Sequence, residues 1–255
     1  MNITIIQTCD GALYKPLLDA AEPVNRAYAS QHGYGYLRWD GIKHGSEPWQ
    51  ATFNRIYLIR ELIRSDPQCE WVFYIDADAV VFDFERRLEE FLDPAYLLIA
   101  CAGGRRPDNY WDLNAGVFFY NSRHVRAMAV LDIWAGAYES SKPNVLFKSS
   151  DSFVNSSEYA VSDQELLQDL LRVNPGLAKI YQGSERAAFN YGGTFIRQLL
   201  RQGNVSFEQR LAQLRALCAE SITRNQPGSA ASIPAAIQPT TGPIYRESSQ
   251  VVSAA

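Results

Sequence analysis

Apolar and polar positions fall into blocks whose lengths and periods predict strands and helices in turn. Ile3 to Thr8 is β-branched and apolar and stops at the turn signal Cys9-Asp10-Gly11, which predicts a first strand. Leu17 to Ser30 then places Leu17, Ala21, Val24 and Tyr28 on one helical face. A short strand is expected around Tyr36-Leu37-Arg38-Trp39. A second helix is expected over Phe53 to Arg64, with Phe53, Ile56, Tyr57, Arg60 and Ile63 along one side. Five apolar residues, Trp71-Val72-Phe73-Tyr74-Ile75, run straight into Asp76-Ala77-Asp78, as in a strand buried on both faces of a parallel sheet. A short helix (Glu85 to Leu92), strands at Leu97 to Ala102 and Gly116 to Tyr120, and a long helix from Ser122 bearing Val125, Ala129, Ile133 and Trp134 follow. Residues 140–161 read as a polar loop over the sheet. Ser162 with Glu165 and Ser206 with Gln209 have capping-box spacing. They open helices at Asp163 to Val173 and at Phe207, the latter with Phe207, Leu211, Leu214 and Cys218 inward. The alternation predicts one α/β domain over residues 1–225. Residues 226–255 are Pro, Ser, Ala, Thr and Gly with almost no charge, and are expected to form a disordered tail.

Composition narrows the setting. With 255 residues and 47% of them hydrophobic, the chain can bury a large core. Twenty-four basic against 28 acidic residues offer no polyanion-binding surface, so nucleic acid is not an expected partner. No apolar run approaches the ~18 residues of a spanning helix, and no signal-peptide pattern opens the chain. A cytoplasmic location follows as the expectation, with peripheral membrane association left open. Cys9, Cys69, Cys101 and Cys218 form no Cys-x-x-Cys pair, and the chain has only three histidines. They read as small buried residues in a reducing compartment rather than as a zinc site.

The candidate chemistry begins at Asp76 and Asp78. At i and i+2 of a strand they share one face and sit at its carboxyl end, where open α/β sheets bind ligands. Two adjacent carboxylates repel unless a cation or proton lies between them. Hard oxygen ligands suit Mg²⁺ or Mn²⁺ bridging to phosphate oxygens. The plainer reading, a strand end that caps its own turn, competes evenly until the buried run leading into the pair is counted.

Three segments then carry a resemblance: Glu70-Trp71-Val72-Phe73-Tyr74-Ile75-Asp76-Ala77-Asp78-Ala79, Leu113-Asn114-Ala115-Gly116-Val117-Phe118-Phe119-Tyr120-Asn121-Ser122, and Ser162-Asp163-Gln164-Glu165. In this order they resemble the retaining α-galactosyl- and α-xylosyltransferases of glycosyltransferase family thirty-four and their glycogenin-like relatives. The resemblance implies a single GT-A (Rossmann-like) domain with a mostly parallel central sheet flanked by helices. It implies transfer of a hexose or pentose from a nucleotide-sugar, a UDP-sugar, to a glycan or glycoconjugate with retention. Asp76 and Asp78 would hold Mn²⁺ (or Mg²⁺); Thr8, Cys9 and Asp10 would hold the base or ribose. Asn54, Arg55, Asp76, Ala77, Asn114, Ala115, Gly116 and Asp163 would meet the rest of the donor. Gln164 would face the anomeric carbon opposite the departing phosphate.

One position departs from the family. Its third metal ligand is a histidine near the C-terminus, but this chain has no histidine after His124, and alignment puts Gln198 there. Gln198 is accordingly the expected third ligand, a weak one. Two other readings remain: a catalytically weakened nucleotide-sugar binder, and a haloacid-dehalogenase-like phosphatase using Asp76 as nucleophile and Asp78 as acid. The second lacks a later acidic pair and has strands before its motif. Arg105 and Arg106 beside Gly103 and Gly104 are secondary candidates for a diphosphate or acceptor contact, against a plain solvated loop, and Trp111 with Asp112 for an acceptor pocket, against plain packing.

Overall fold

A computed structural model describes residues 1–102, 109–141, 162–184, 186–189, 192–200 and 205–226. The Gly103–Arg106 segment, nearly all of the expected 140–161 loop and nearly all of the expected tail lie outside the described residues. In chain order the elements are β1 (Ile3–Cys9), α1 (Lys15–His32), β2 (Gly35–Asp40), α2 (Asn54–Ser65), β3 (Trp71–Ile75), β4 (Ala79–Val81), β5 (Leu98–Ala102) and β6 (Leu113–Asn121). They continue as α3 (Ala127–Ser141), α4 (Asp163–Val173), α5 (Pro175–Ala178), β7 (Tyr181–Ser184), α6 (Arg186–Phe189), β8 (Ile196–Gln198) and α7 (Phe207–Arg224).

Six strands form one sheet in the order β2-β1-β3-β6-β5-β7. All run parallel except β6, which is antiparallel to both β3 and β5. The fold is α/β with a mostly parallel central sheet, as the alternation predicts. Period-two alternation divides the core. Ile3, Ile5, Phe73, Ile75, Val117 and Phe119 pack on one face with α1 and α7. Ile6, Val72, Tyr74, Phe118 and Tyr120 pack on the other with α2, α3 and α4. Across β3 and β6 the partners Phe73 and Phe119 stack at 4.4 Å, and Tyr74 and Phe118 at 5.2 Å. A second, two-stranded sheet pairs β4 with β8 antiparallel. Among the described residues no helix is long and apolar enough to cross a membrane.

Local signals succeed where the cap is local. Ser162 and Ser206 both accept from the N3 backbone, while Glu165 and Gln209 bond back, so α4 and α7 start where the capping boxes place them. Elsewhere the pattern misleads. The helix expected from Ser122 starts at Ala127, because residues 122–126 make turns anchored by Asn121. Its buried stripe is Ala127, Val130, Leu131, Trp134, Ala135 and Tyr138, while Val125 is 94% exposed and Ile133 46%. The helix expected at Glu85 to Leu92 reduces to a 3₁₀ turn, Leu88–Phe91. β6 begins at Leu113, so Asn114, Ala115 and Gly116 lie inside a strand rather than before one.

Candidate active site

β3 ends at Ile75, and Asp76, Ala77 and Asp78 make the turn into β4. The two aspartates therefore do not share a strand face, which corrects the i, i+2 argument. Their convergence comes from the turn and from what is packed against it. The Asp76 N–H donates to Gly116 O at 2.8 Å, and Ala79 N–H donates to Asp76 O at 3.0 Å. Gln7, itself fully buried, donates to the Asp76 carbonyl at 2.9 Å and accepts from Asn25 at 2.9 Å. Asn25 also holds the backbone of Ala79 and Val81. Sequence reasoning passed over Gln7 and Asn25. Their signal is a polar residue within an otherwise apolar strand and a polar residue on the buried face of α1.

β8 brings Gln198 to this turn: Gln198 is the register partner of Ala79, and Leu199 N–H donates to Asp78 O at 3.0 Å. The Gln198 amide Nε2 lies 3.0 Å from Asp76 Oδ2 and 3.4 Å from Asp78 Oδ1, donating to both. Its Oε1 accepts from Asn114 Nδ2 at 2.8 Å, and Asn114 Oδ1 accepts the Gly116 backbone N–H at 2.8 Å. That last bond fixes the chain of amides. A backbone N–H can only donate, so the Asn114 oxygen must face Gly116 and its nitrogen must face Gln198. Gln198 then presents its oxygen to Asn114 and its N–H to the aspartates. A Cβ on Gly116 would come within 2.5 Å of Asp76 Oδ2 and closer still to Gln198 Nε2, so only glycine admits this approach.

Arg55, buried in α2, ties the other side together. Its Nη2 lies 2.9 Å from Asp76 Oδ1 and its Nη1 3.0 Å from Asp163 Oδ2. It also donates to the carbonyls of Ala115 and of Thr52, and stacks on the Tyr74 ring at 4.3 Å. Burial works against its charge, but Asp163 and the groups around it outweigh that and raise the guanidinium pKa. Asp163 is buried in the first turn of α4, and burial raises its carboxyl pKa more than Arg55 lowers it. Its Oδ2 makes no hydrogen bond among the described residues and meets Arg55 as charge alone. Gln164, the next residue, accepts the Ala115 N–H on its Oε1 at 3.0 Å.

The remaining expected donor residues sit at the end of β1, with their polar groups engaged. Thr8 Oγ1 accepts from Asn54 Nδ2 at 2.8 Å, and Asn54 also bonds Gly41 O and Lys43 N. The Asp10 carboxylate accepts the backbone N–H groups of Ala12, Leu13 and Tyr14 at the start of α1. Burial pushes the Cys9 thiol up to about 11. Ala77 is buried in the turn itself. All four cysteines are buried and none is in a disulfide, as their scatter predicts.

Arg210 is the largest omission from the sequence reading. It projects from α7, its side chain only 9% exposed, and pairs with Asp78 Oδ2 through Nη2. Nε donates to Leu199 O at 3.1 Å, and Nη1 reaches Tyr14 OH at 3.5 Å. Its signal was an arginine on the inward stripe of α7 beside Leu214 and Leu217. Among the described residues no three His, Cys, Asp or Glu side chains gather as metal ligands.

The fold is shared with known proteins. Residues 4–100 match the galactosyl transferase GMA12/MNN10 family. The chain is a glycosyltransferase of the GT-A fold. A glycosyltransferase involved in glycosylation of the major capsid of PBCV-1 is structurally similar, at a TM-score of 0.60 and 16% identity, over 85% of this chain and 100% of that one. The galactosyltransferase LgtC, solved with donor and acceptor sugar analogues, aligns at a TM-score of 0.50 and 15% identity, over 85% of this chain and 95% of its own. The glycosyltransferase GlyE of Streptococcus pneumoniae TIGR4 aligns at 0.50 and 16%, over 91% of this chain and 66% of its own. No curated protein sequence matches the chain. The phosphatase alternative falls: in this glycosyltransferase the aspartates follow the third strand of the sheet, beside a glutamine-bearing strand.

Proposed function

We propose that this glycosyltransferase moves a hexose or pentose from a UDP-sugar to a hydroxyl of a glycan or glycoconjugate, with retention at the anomeric carbon. The observation that carries the reading is the gathering of Asp76, Asp163 and Gln164 around Arg55 and Gly116, with Asp78 joined to Asp76 through Gln198, beyond the carboxyl ends of β1 and β3. The uridine choice and retention rest on the resemblance to family thirty-four. The glycoconjugate acceptor is in keeping with a structurally similar glycosyltransferase involved in the glycosylation of the major capsid of PBCV-1.

Each residue has work that its surroundings allow. Asp163 Oδ2 is a buried acceptor with no hydrogen bond of its own, suited to a donor-sugar hydroxyl. Gln164 keeps its oxygen fixed by the Ala115 N–H, and its second lone pair can face positive charge developing at the anomeric carbon. An amide oxygen is too weak a nucleophile for a durable covalent adduct, so the departing phosphate serves as base to the incoming hydroxyl on the same face. Positioning and electrostatics supply the rate. Asn114 orients Gln198 through one N–H and is itself held by the Gly116 N–H; its second N–H remains for a donor hydroxyl.

The expected Mn²⁺ (or Mg²⁺) at Asp76, Asp78 and Gln198 does not fit this donor set. A cation needs lone pairs facing it, and Gln198 turns N–H toward both carboxylates with its own oxygen held by Asn114.

Thermal unfolding with nucleotides tests the reading. A ligand at about a hundred times its Kd adds about 2.7 kcal/mol, which is several degrees for a domain of this size. UDP should raise Tm where GDP does not, and proton NMR of the product from a panel of UDP-sugars should show an α linkage. If no nucleotide shifts Tm in any buffer, the donor site is not here. Gln164→Ala should lower kcat with little change in KM.

A further inference from the structure

The misfit of a divalent ion has a counterpart in the same site. Every carboxylate oxygen of the pair already has a donor from this chain. Asp76 Oδ1 takes Arg55 and the Tyr74 hydroxyl at 3.1 Å; Asp76 Oδ2 and Asp78 Oδ1 share the Gln198 N–H group. Asp78 Oδ2 takes Arg210. Gln198 cannot turn over to offer oxygen without setting its N–H against that of Asn114, whose orientation the Gly116 backbone holds. We propose that Arg210 is the resident cation of the Asp76–Asp78 pair, and that its guanidinium, not a divalent ion, meets the diphosphate of the donor. This rests on the nucleotide-sugar reading above.

Arg210 is built for such a part. It is buried, its Nε is fixed on the carbonyl of Leu199 just after β8, and its Cζ lies 5.6 Å from the centre of the Tyr14 ring. A guanidinium has five N–H donors. Nε, one on Nη1 and one on Nη2 are used by Leu199, Tyr14 and Asp78, which leaves two without partners among the described residues. Charge-assisted bonds from a guanidinium fork to phosphate oxygens are among the stronger polar contacts available. Arg210 lies outside the segment that matches the GMA12/MNN10 family and outside all three motifs of the resemblance.

Calorimetry of UDP and uridine binding to the full chain, in EDTA and in Mn²⁺, decides the matter without any variant. UDP should bind in EDTA with an affinity within a few-fold of that in Mn²⁺. Arg210→Gln should then weaken UDP about tenfold or more while leaving uridine unchanged, since uridine has no diphosphate. Arg210→Lys, which keeps charge but loses the fork, should fall between. Mn²⁺ uptake by the nucleotide-free protein, read from the paramagnetic signal of the free ion, should be weak in wild type and stronger in Arg210→Gln. UDP binding that appears only with Mn²⁺ would overturn the assignment of Arg210 and leave the glycosyltransferase reading standing. Loss of UDP binding in both buffers would overturn both.

Discussion

Gly116 shows how much one position can carry. The absence of a Cβ lets the β6 backbone lie against Asp76 and Gln198 while its N–H orients Asn114. Gly116→Ala should force those side chains apart, cost about 1–3 kcal/mol, and weaken UDP binding. Calorimetric unfolding and nucleotide titration would measure the two effects. The motif signals glycine in sequence, but the clash that makes it necessary involves Gln198, which is distant in the chain and close only in the fold. Asp163 supplies a pH test. Burial raises its folded pKa, so on increasing pH the unfolded chain loses this proton first. Its contribution to stability is greatest below about pH 4, the ordinary carboxylate range, and declines as pH rises through the folded value. The stability of wild type relative to Asp163→Asn should therefore fall with rising pH above that point and then level off. A rise would mean that the ion pair with Arg55 outweighs burial.

Helix starts and strand cores are the elements most legible in sequence, because their causes lie within a few residues. The Ser162–Glu165 box fixes the first turn of α4, and that turn carries Asp163 and Gln164. Ser162→Ala should cost about 1 kcal/mol in chemical denaturation, and the looser turn should lower kcat. The short strands β4 and β8 were not legible. At three residues each they have too few positions for a period to show, and they exist because they pair with one another. The error at α3 has a similar origin. Apolar residues at Val125 and Ile133 mimic a helical stripe, but Asn121 holds a turn that delays the helix and rotates a different set inward.

Across the fold, the two faces of one sheet bury separate clusters, and each cysteine sits inside one of them or against it. Burial raises the Cys9 thiol to about 11 and that of Cys218 to about 12. All four thiols should react slowly with a water-soluble disulfide reagent at pH 8 in the native protein, and together once denaturant unfolds it. One thiol reacting fast in the native state would reveal a local opening. The parallel strand order was readable as a class, since five consecutive buried residues in β3 call for cover on both faces. The order β2-β1-β3-β6-β5-β7, with β6 reversed, was not, because pairing across the sheet leaves no mark in local pattern.

Local chemistry written along the chain specified the alternation of strands and helices, two capped helix starts, buried cysteines, and an Asp-Ala-Asp pair at the end of a buried strand. Those depend on residues near in sequence, where periodicity and side-chain reach act directly. The direction of the Gln198 amide and the presence of Arg210 at Asp78 depended on contacts between residues 120 and 132 positions apart. An amide can face a carboxylate as donor or a cation as ligand, and its sequence does not distinguish the two. Only the folded backbone does, through one N–H of Gly116 that can donate and cannot accept.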